Sequence, residues 1–182
     1  MLKTRTVTRP GPSIWCAALA LMLHTACTQN PAADRLALEE YLLKLKTWSH
    51  VEAEAAGAIE RIIATQFVDD DEVHRQIAES RPRVRSHLLD VQAYVPRSDA
   101  VRGVHAQYTL AWRRLMVAYD RIERGLAEGR QDEVAAGRSG LVSWRRDLRR
   151  MADNLRPLME RYDLIGAGSK GGLPVETGRP SF

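Results

Sequence analysis

The sequence predicts an all-α protein, an up-down-up-down antiparallel four-helix bundle over residues 33–164. Apolar residues recur every three or four positions through four long segments, which is the spacing of a helix that buries one face. Short polar interruptions at 67–72, 94–99 and 127–132 separate these segments. No stretch shows the strict alternation typical of a half-buried strand. Connections this short place consecutive helices antiparallel to each other.

The first two helices are predicted over 33–66 and 70–94, and each apolar stripe contains a polar residue, Glu52 in the first and His87 in the second. The acidic run at 69–72 favours a helix start, because the helix dipole is positive there. A calcium loop would alternate its ligands and include a glycine, so we interpret the run as capping. The stripe positions are Leu38, Tyr41, Leu45, Trp48, Glu52, Ala55, Ile59, Ile62 and Gln66, then Val73, Ile77, Ser80, Val84, His87, Val91 and Tyr94.

The third and fourth helices are predicted over 98–128 and 132–162. Ser98 can cap the start of the third helix, and Gly129 can end it in the left-handed conformation that glycine adopts without strain. Large aromatic residues at this spacing indicate a packed core. The stripe positions are Val101, His105, Tyr108, Trp112, Leu115, Tyr119, Ile122 and Leu126, then Val134, Gly137, Leu141, Trp144, Leu148, Met151, Leu155, Leu158 and Tyr162.

Residues 1–26 have the organisation of a secretory signal peptide. Lys3, Arg5 and Arg9 come first with no acidic residue, and an apolar run follows over 14–23. A signal-peptide core has about 7–15 apolar residues, whereas a membrane-spanning helix needs about 20. We therefore expect this segment to direct export and to be removed.

The end of this segment, Ala26-Cys27, resembles the lipobox of bacterial lipoproteins, in which a small residue precedes a cysteine that is diacylated and becomes the mature N-terminus. The resemblance implies lipidation of Cys27 and makes residues 27–32 a lipid anchor and tether, although His24 stands where that pattern usually has leucine. Thr28, rather than Asp, follows the cysteine, and in this the chain resembles lipoproteins sent to the outer membrane. In a Gram-negative host the resemblance implies an anchor on the periplasmic side of that membrane. The alternative is an ordinary signal peptide and a free thiol.

Cysteine content and charge agree with an exported protein. Of the two cysteines, Cys16 lies in the segment expected to be removed, so the mature chain can form no internal disulfide. The formal charge of the whole chain is +4, and three basic residues of 1–26 account for most of it. The mature protein is nearly neutral, which argues against nucleic-acid binding. Residues 165–182 are rich in Gly and Pro and are expected to form a disordered tail.

Three polar residues, Glu52, His87 and His105, fall on the apolar stripes. Counting from the two turns places them within about one helical turn of each other, with Tyr108 adjacent and Asn154 at the same height. We interpret them as a buried hydrogen-bond network that fixes the helix register, because buried polar groups need partners. The alternative is a metal or small-ligand site, since bundle cores supply imidazole and carboxylate from facing helices. The Glu-x-x-His pairs of di-iron bundles are absent, and we predict no cofactor.

Charge is unevenly divided along the chain. Residues 27–96 hold 8 basic and 12 acidic residues, whereas residues 97–161 hold 14 arginines and 9 acidic residues. Paired arginines on the third and fourth helices are expected to come level and could bind an anionic partner such as lipid headgroups. The alternative is intramolecular pairing with Glu54, Glu60 and Glu79, which we favour because the two halves nearly cancel. The arginines are Arg113, Arg114, Arg145, Arg146, Arg149 and Arg150.

The sequence contains no complete catalytic motif. A His-Glu-x-x-His helix, a Gly-rich phosphate loop and a nucleophile elbow are all missing, so we do not expect an enzyme. The predicted function is that of a non-enzymatic envelope lipoprotein whose bundle acts as a structural or interaction module. Its partners would be the membrane, through the N-terminal lipid, and an envelope protein or another anionic partner. The alternative is a metal- or small-ligand-binding bundle.

Overall fold

The computed structural model describes residues 30–64 and 69–165, and these form four helices with no strand. The helices are α1 (Pro31–Ala64), α2 (Asp70–Ala93), α3 (Asp99–Glu128) and α4 (Gln131–Arg161). Residues from Pro31 onward make up a compact unit of their own. The predicted all-α class is therefore confirmed. Among the described helices, none combines the length and the apolarity needed to cross a bilayer.

Helix α1 begins at Pro31, inside the segment 27–32 that was predicted as tether. The physical reason is that proline is favoured at the first helical position, where no N–H is needed, and asparagine, here Asn30, is favoured just before it. The predicted start at residue 33 was therefore late by two residues. Cys27, the predicted signal segment and residues 166–182 lie outside the described residues.

The predicted helix boundaries are made by side-chain and glycine caps. The Asp69 carboxylate accepts a hydrogen bond from the Asp71 N–H at 2.9 Å, which confirms that the acidic run caps α2. The Ser98 hydroxyl oxygen accepts from the Val101 N–H at 3.4 Å at the start of α3. Gly129 ends α3 with φ of 67° and ψ of 21°, the left-handed conformation in which a side chain would be strained.

Neighbouring helices are antiparallel, because residue numbers rise along one helix and fall along the other at successive contacts. This is the predicted up-down-up-down order. The contacts are Glu54–Arg83 and Arg61–Gln76 between α1 and α2, Ser80–Tyr119 and His87–Tyr108 between α2 and α3, Gln107–Asn154 and Arg114–Asp147 between α3 and α4, and Asp34–Tyr162 and Glu60–Arg145 between α1 and α4.

The predicted stripes form the core. Most of their described members are buried, and the half-buried ones are Leu45, Glu52, Ser80 and residues toward the helix ends. Burial of such side chains supplies most of the free energy that holds amphipathic helices together. The largest fully buried side chains are Trp112, Trp144, Tyr41, Tyr108 and Tyr119.

The contact between α3 and α4 is the most extensive of the bundle, and it depends on glycines. A Cβ atom on Gly137 would lie 2.5 Å from the Ile122 Cγ1 atom and 2.8 Å from the Ala118 carbonyl oxygen. A Cβ atom on Gly140 would lie 2.8 Å from the Ala118 Cβ atom. Because Gly137 and Gly140 have no side chain, the backbones of α3 and α4 can approach closely.

We expect Gly137→Ala to lower the free energy of unfolding by about 1–3 kcal/mol, because the new methyl group overpacks the contact with α3. Gly103→Ala is the matched control, since its Cβ would meet nothing within 4 Å. It should raise stability by about 0.5–1 kcal/mol through the helix preference of alanine. Urea unfolding followed by circular dichroism measures both, and a neutral or stabilising Gly137→Ala would contradict the close packing.

Candidate functional site

The two histidines predicted on the stripes are buried among aromatic rings. His87 is 3% exposed and His105 is 7% exposed. The Trp48 indole lies against both, with its ring centroid 5.8 Å from that of His87 and 6.3 Å from that of His105. A continuous layer of rings contributed by α1, α2 and α3 therefore fixes the position of both imidazoles.

His87 is hydrogen-bonded to a phenol. Its Nε2 atom lies 3.2 Å from the Tyr108 hydroxyl, and its ring centroid lies 4.1 Å from that of Trp112. Burial lowers the pKa of His87 to about 4, against an opposing effect of Asp90. Burial also raises the pKa of the Tyr108 phenol well above its ordinary value. Both groups are uncharged at neutral pH, so the bond joins a phenol to a neutral imidazole.

His105 lies in a second group of rings. Its centroid is 5.2 Å from Tyr94 and 5.7 Å from Tyr41. Burial lowers the pKa of His105, while the nearby backbone of Val91 and Tyr94 acts in the opposite direction. Among the described residues, the His105 Nδ1 atom and the hydroxyls of Tyr41 and Tyr94 have no hydrogen-bond partner of normal geometry. Such unpartnered polar atoms are uncommon in a core.

Glu52 lies close enough to Tyr108 for its charge to contribute to the raised pKa of that phenol. It lines the cleft between α1 and α4, next to Trp144 and Leu148, whereas His87 lines the cleft between α1 and α2. Burial raises the pKa of Glu52. Glu52 thus lies near Tyr108 but lines a different cleft from His87, because the four-residue step from Trp48 turns the side chain by about 40° around the helix axis. Within 30–64 and 69–165, no three His, Cys, Asp or Glu side chains are placed to hold one metal ion.

The position of Tyr108 agrees with the predicted count. His87 pairs with Tyr108, which follows His105 on α3 by about one helical turn. Tyr94, at the end of α2, is extended, with φ of −75° and ψ of 127°. Asn154 is exposed and donates to Gln107 at 2.8 Å, and it therefore lies outside the buried layer.

The cleft between α1 and α2 is a feature that the sequence did not reveal. It has a volume of about 910 Å³, and Trp48, His87 and Tyr94 are among its lining residues. Ion pairs between Glu54 and Arg83 at 3.0 Å and between Glu40 and Arg97 at 3.2 Å connect its walls. An aromatic floor between charged walls can accept a small planar molecule. The aromatic stripe members were visible in the sequence, but the cleft that they line depends on helix spacing.

Four of the six predicted arginines line two different clefts. Arg145 donates to Glu60 at 2.6 Å and to the Ala56 carbonyl oxygen at 3.1 Å. Arg113 and Arg114 instead line the cleft between α3 and α4. The physical reason is the angle of about 100° between successive helical residues, which turns adjacent arginines toward different neighbours.

Some of these arginines make the intramolecular pairs that were favoured over an external partner. Glu60 pairs with Arg145 as predicted, and Glu54 pairs with Arg83. Arg114 pairs with Asp147 at 2.6 Å. Arg149 lines the α1–α4 cleft. Arg146 and Arg150 are exposed on α4.

Comparison with known proteins gives no functional assignment. No protein-family model matches the chain, and neither a curated protein nor a solved structure matches it. Any inference about what the clefts bind is therefore drawn from the residues that line them.

We expect the free energy of unfolding to fall as the pH is lowered from 7 to 5. The His87 pKa is about 4 in the folded chain and 6.5 as its usual value, so only the unfolded chain takes up this proton within that window. His105, whose pKa is also lowered by burial, acts in the same direction. Urea unfolding at the two pH values measures the change.

The variant His87→Gln isolates the contribution of this imidazole. Glutamine can still bond to Tyr108 but does not titrate, so the loss of stability between pH 7 and pH 5 should become smaller. His74→Gln, at an exposed position of the same helix, should keep the wild-type dependence. An equal pH dependence in wild type and His87→Gln would show that the His87 imidazole is not buried in its neutral form.

Proposed function

We propose that the protein is a non-enzymatic lipoprotein of the bacterial cell envelope, with a helical bundle that acts as a structural or interaction module. The observation that carries this proposal is the position of Cys27, directly after the basic residues, the apolar run and Ala26. Acylation there would anchor the bundle outside the cytoplasmic membrane. In a Gram-negative host, Thr28 favours the outer membrane.

The surroundings of the histidines support a structural role rather than catalysis. A general base needs access to substrate and a pKa near the working pH. The pKa of His87 is instead lowered to about 4, and its ring is packed against Trp48 and Trp112. A neutral imidazole bonded to Tyr108 is suited to fixing the register of α2 against α3.

A second candidate function is the binding of a small ligand in the α1–α2 cleft. It is favoured by the position of Trp48 and His87 on the cleft wall and by the Tyr94 hydroxyl, which has no partner among the described residues. A metal ion at Glu52, His87 and His105 has less support, because Glu52 and His87 line different clefts.

We expect Cys27→Ser to move the protein from the membrane to the soluble extracytoplasmic fraction, because serine lacks the sulfur atom through which the lipid is attached. Fractionation and the mass of the mature N-terminus measure this. Cys16→Ser is the matched control and should leave both unchanged, since Cys16 lies in the segment that would be removed. Unchanged fractionation of Cys27→Ser, with no acyl mass on the wild-type protein, would contradict the proposal.

Elemental and spectroscopic analysis of protein purified from its native membrane separates the two candidate functions. The proposed interaction module should contain no stoichiometric metal or chromophore. The double variant His87→Ala, His105→Ala should lose stability while keeping its partners in a pull-down, because partner contacts lie on the surface. A stoichiometric metal or small molecule that is lost in the double variant would favour the second candidate.

A further inference from the structure

Helix α3 presents an exposed face that no other described helix covers. Leu110 is 45% exposed and Val117 is 51% exposed, and their spacing of seven residues puts them on the same side of the helix. Arginines lie between and beside them. We call this face the α3 strip, and its members are Leu110, Arg113, Arg114, Val117 and Arg121, which line a shallow cleft of about 430 Å³ beside α4.

The α3 strip is positively charged because its carboxylates are used elsewhere. Between the two ends of α3 the only carboxylates are Asp120 and Glu123, and both form ion pairs with Arg81 of α2. Arg121 has only a distant acidic neighbour, Glu133 at 4.0 Å. The guanidinium groups of the strip are thus only partly neutralised within the bundle.

Arg114 remains at the surface although it is paired with Asp147 at 2.6 Å. Its partner Asp147 is a largely buried carboxylate with 14% of its side chain exposed, whereas 53% of the Arg114 side chain is exposed. Arg124, one turn beyond Arg121, is likewise exposed. The outward electrostatic potential of the strip is therefore positive along several turns of α3.

The shape of the strip favours a flat partner over a peptide. Leu110 and Val117 project outward, whereas a peptide site would enclose its anchors in a concave pocket. The neighbouring residues on α4 include Ala136 and Gly140, whose small size keeps that side of the cleft low. Helix α3 has 30 residues and is about 45 Å long, so it offers an extended surface.

We propose that the α3 strip docks the bundle on a membrane surface that contains anionic phospholipids. Exposed leucine and valine can enter the boundary between headgroups and acyl chains. The guanidinium groups can bind lipid phosphates through paired hydrogen bonds. The biological meaning of this contact rests on the proposed envelope location, whereas the contact itself involves only residues of α3.

Vesicle sedimentation tests the proposal without an acyl chain. Residues 27–182 with Cys27→Ser, which contain the whole compact unit, are mixed at low salt with vesicles of phosphatidylcholine alone or of equal parts phosphatidylcholine and phosphatidylglycerol. We expect binding to the vesicles with phosphatidylglycerol only. The double variant Arg113→Gln, Arg121→Gln should lower the partition coefficient by roughly 10-fold or more.

A second pair of variants tests the apolar part of the strip. Leu110→Ser, Val117→Ser should also weaken binding by about 10-fold, because both side chains lose their apolar contact with lipid. Matched controls change the same residue types at exposed positions of α1 and α2. The double variant Arg75→Gln, Arg85→Gln removes the same number of charges. The double variant Leu43→Ser, Leu89→Ser replaces leucines that are 66% and 59% exposed. Each control should change binding less than twofold.

Several outcomes would overturn the docking surface. Equal weakening by the strip variants and the α2 arginine controls would indicate general charge attraction. Absence of binding to phosphatidylglycerol, with binding of polyglutamate that requires Arg113 and Arg121, would indicate an acidic protein partner instead. A missing acyl group on Cys27 would overturn the proposed anchor but leave the vesicle result intact, so the two failures are distinguishable. Wild-type melting temperatures would show that the exposed substitutions preserve the fold.

Discussion

The close approach of α3 and α4 is the contact on which the rest of the bundle depends. Gly137 and Gly140 let the α4 backbone reach Ala118 and Ile122 of α3, and no other helix pair packs as extensively. Helix α1 has fewer contacts with its neighbours, and large rings such as Trp48 fill the space that it leaves. This difference accounts for the clefts on both sides of α1, one of which is lined in part by the buried Trp48 and His87.

The polar groups in the ring layer follow from the same geometry. Aromatic rings are wide enough to bridge helices that stand apart, but they bring hydroxyl and imidazole groups into the core. The pair His87–Tyr108 solves this problem by an internal hydrogen bond. Tyr41, Tyr94 and His105 do so less completely, and unpartnered buried polar atoms lower the stability of a core.

Sequence patterns predicted those features that depend on one helix at a time. The three- and four-residue spacing identified the core positions, and the caps at Asp69, Ser98 and Gly129 followed from local chemistry. Features that depend on two helices were harder to predict. Glu52 and His87 line different clefts because of a rotation of a few tens of degrees around α1. The arginine partners likewise depend on the spacing of helices.

The mature chain is expected to be nearly neutral, yet one face of α3 carries mostly positive side chains. The two halves of the chain nearly cancel, and the Arg97–Glu40 and Arg145–Glu60 pairs show this cancellation directly. Arg81 of α2, however, binds both Asp120 and Glu123 of α3. That pairing removes the carboxylates of α3 from the outward balance while its own arginines remain exposed. Intramolecular pairing on one side of α3 therefore creates the positive potential on the other, and the same physical interaction stabilises the bundle and gives it a charged face.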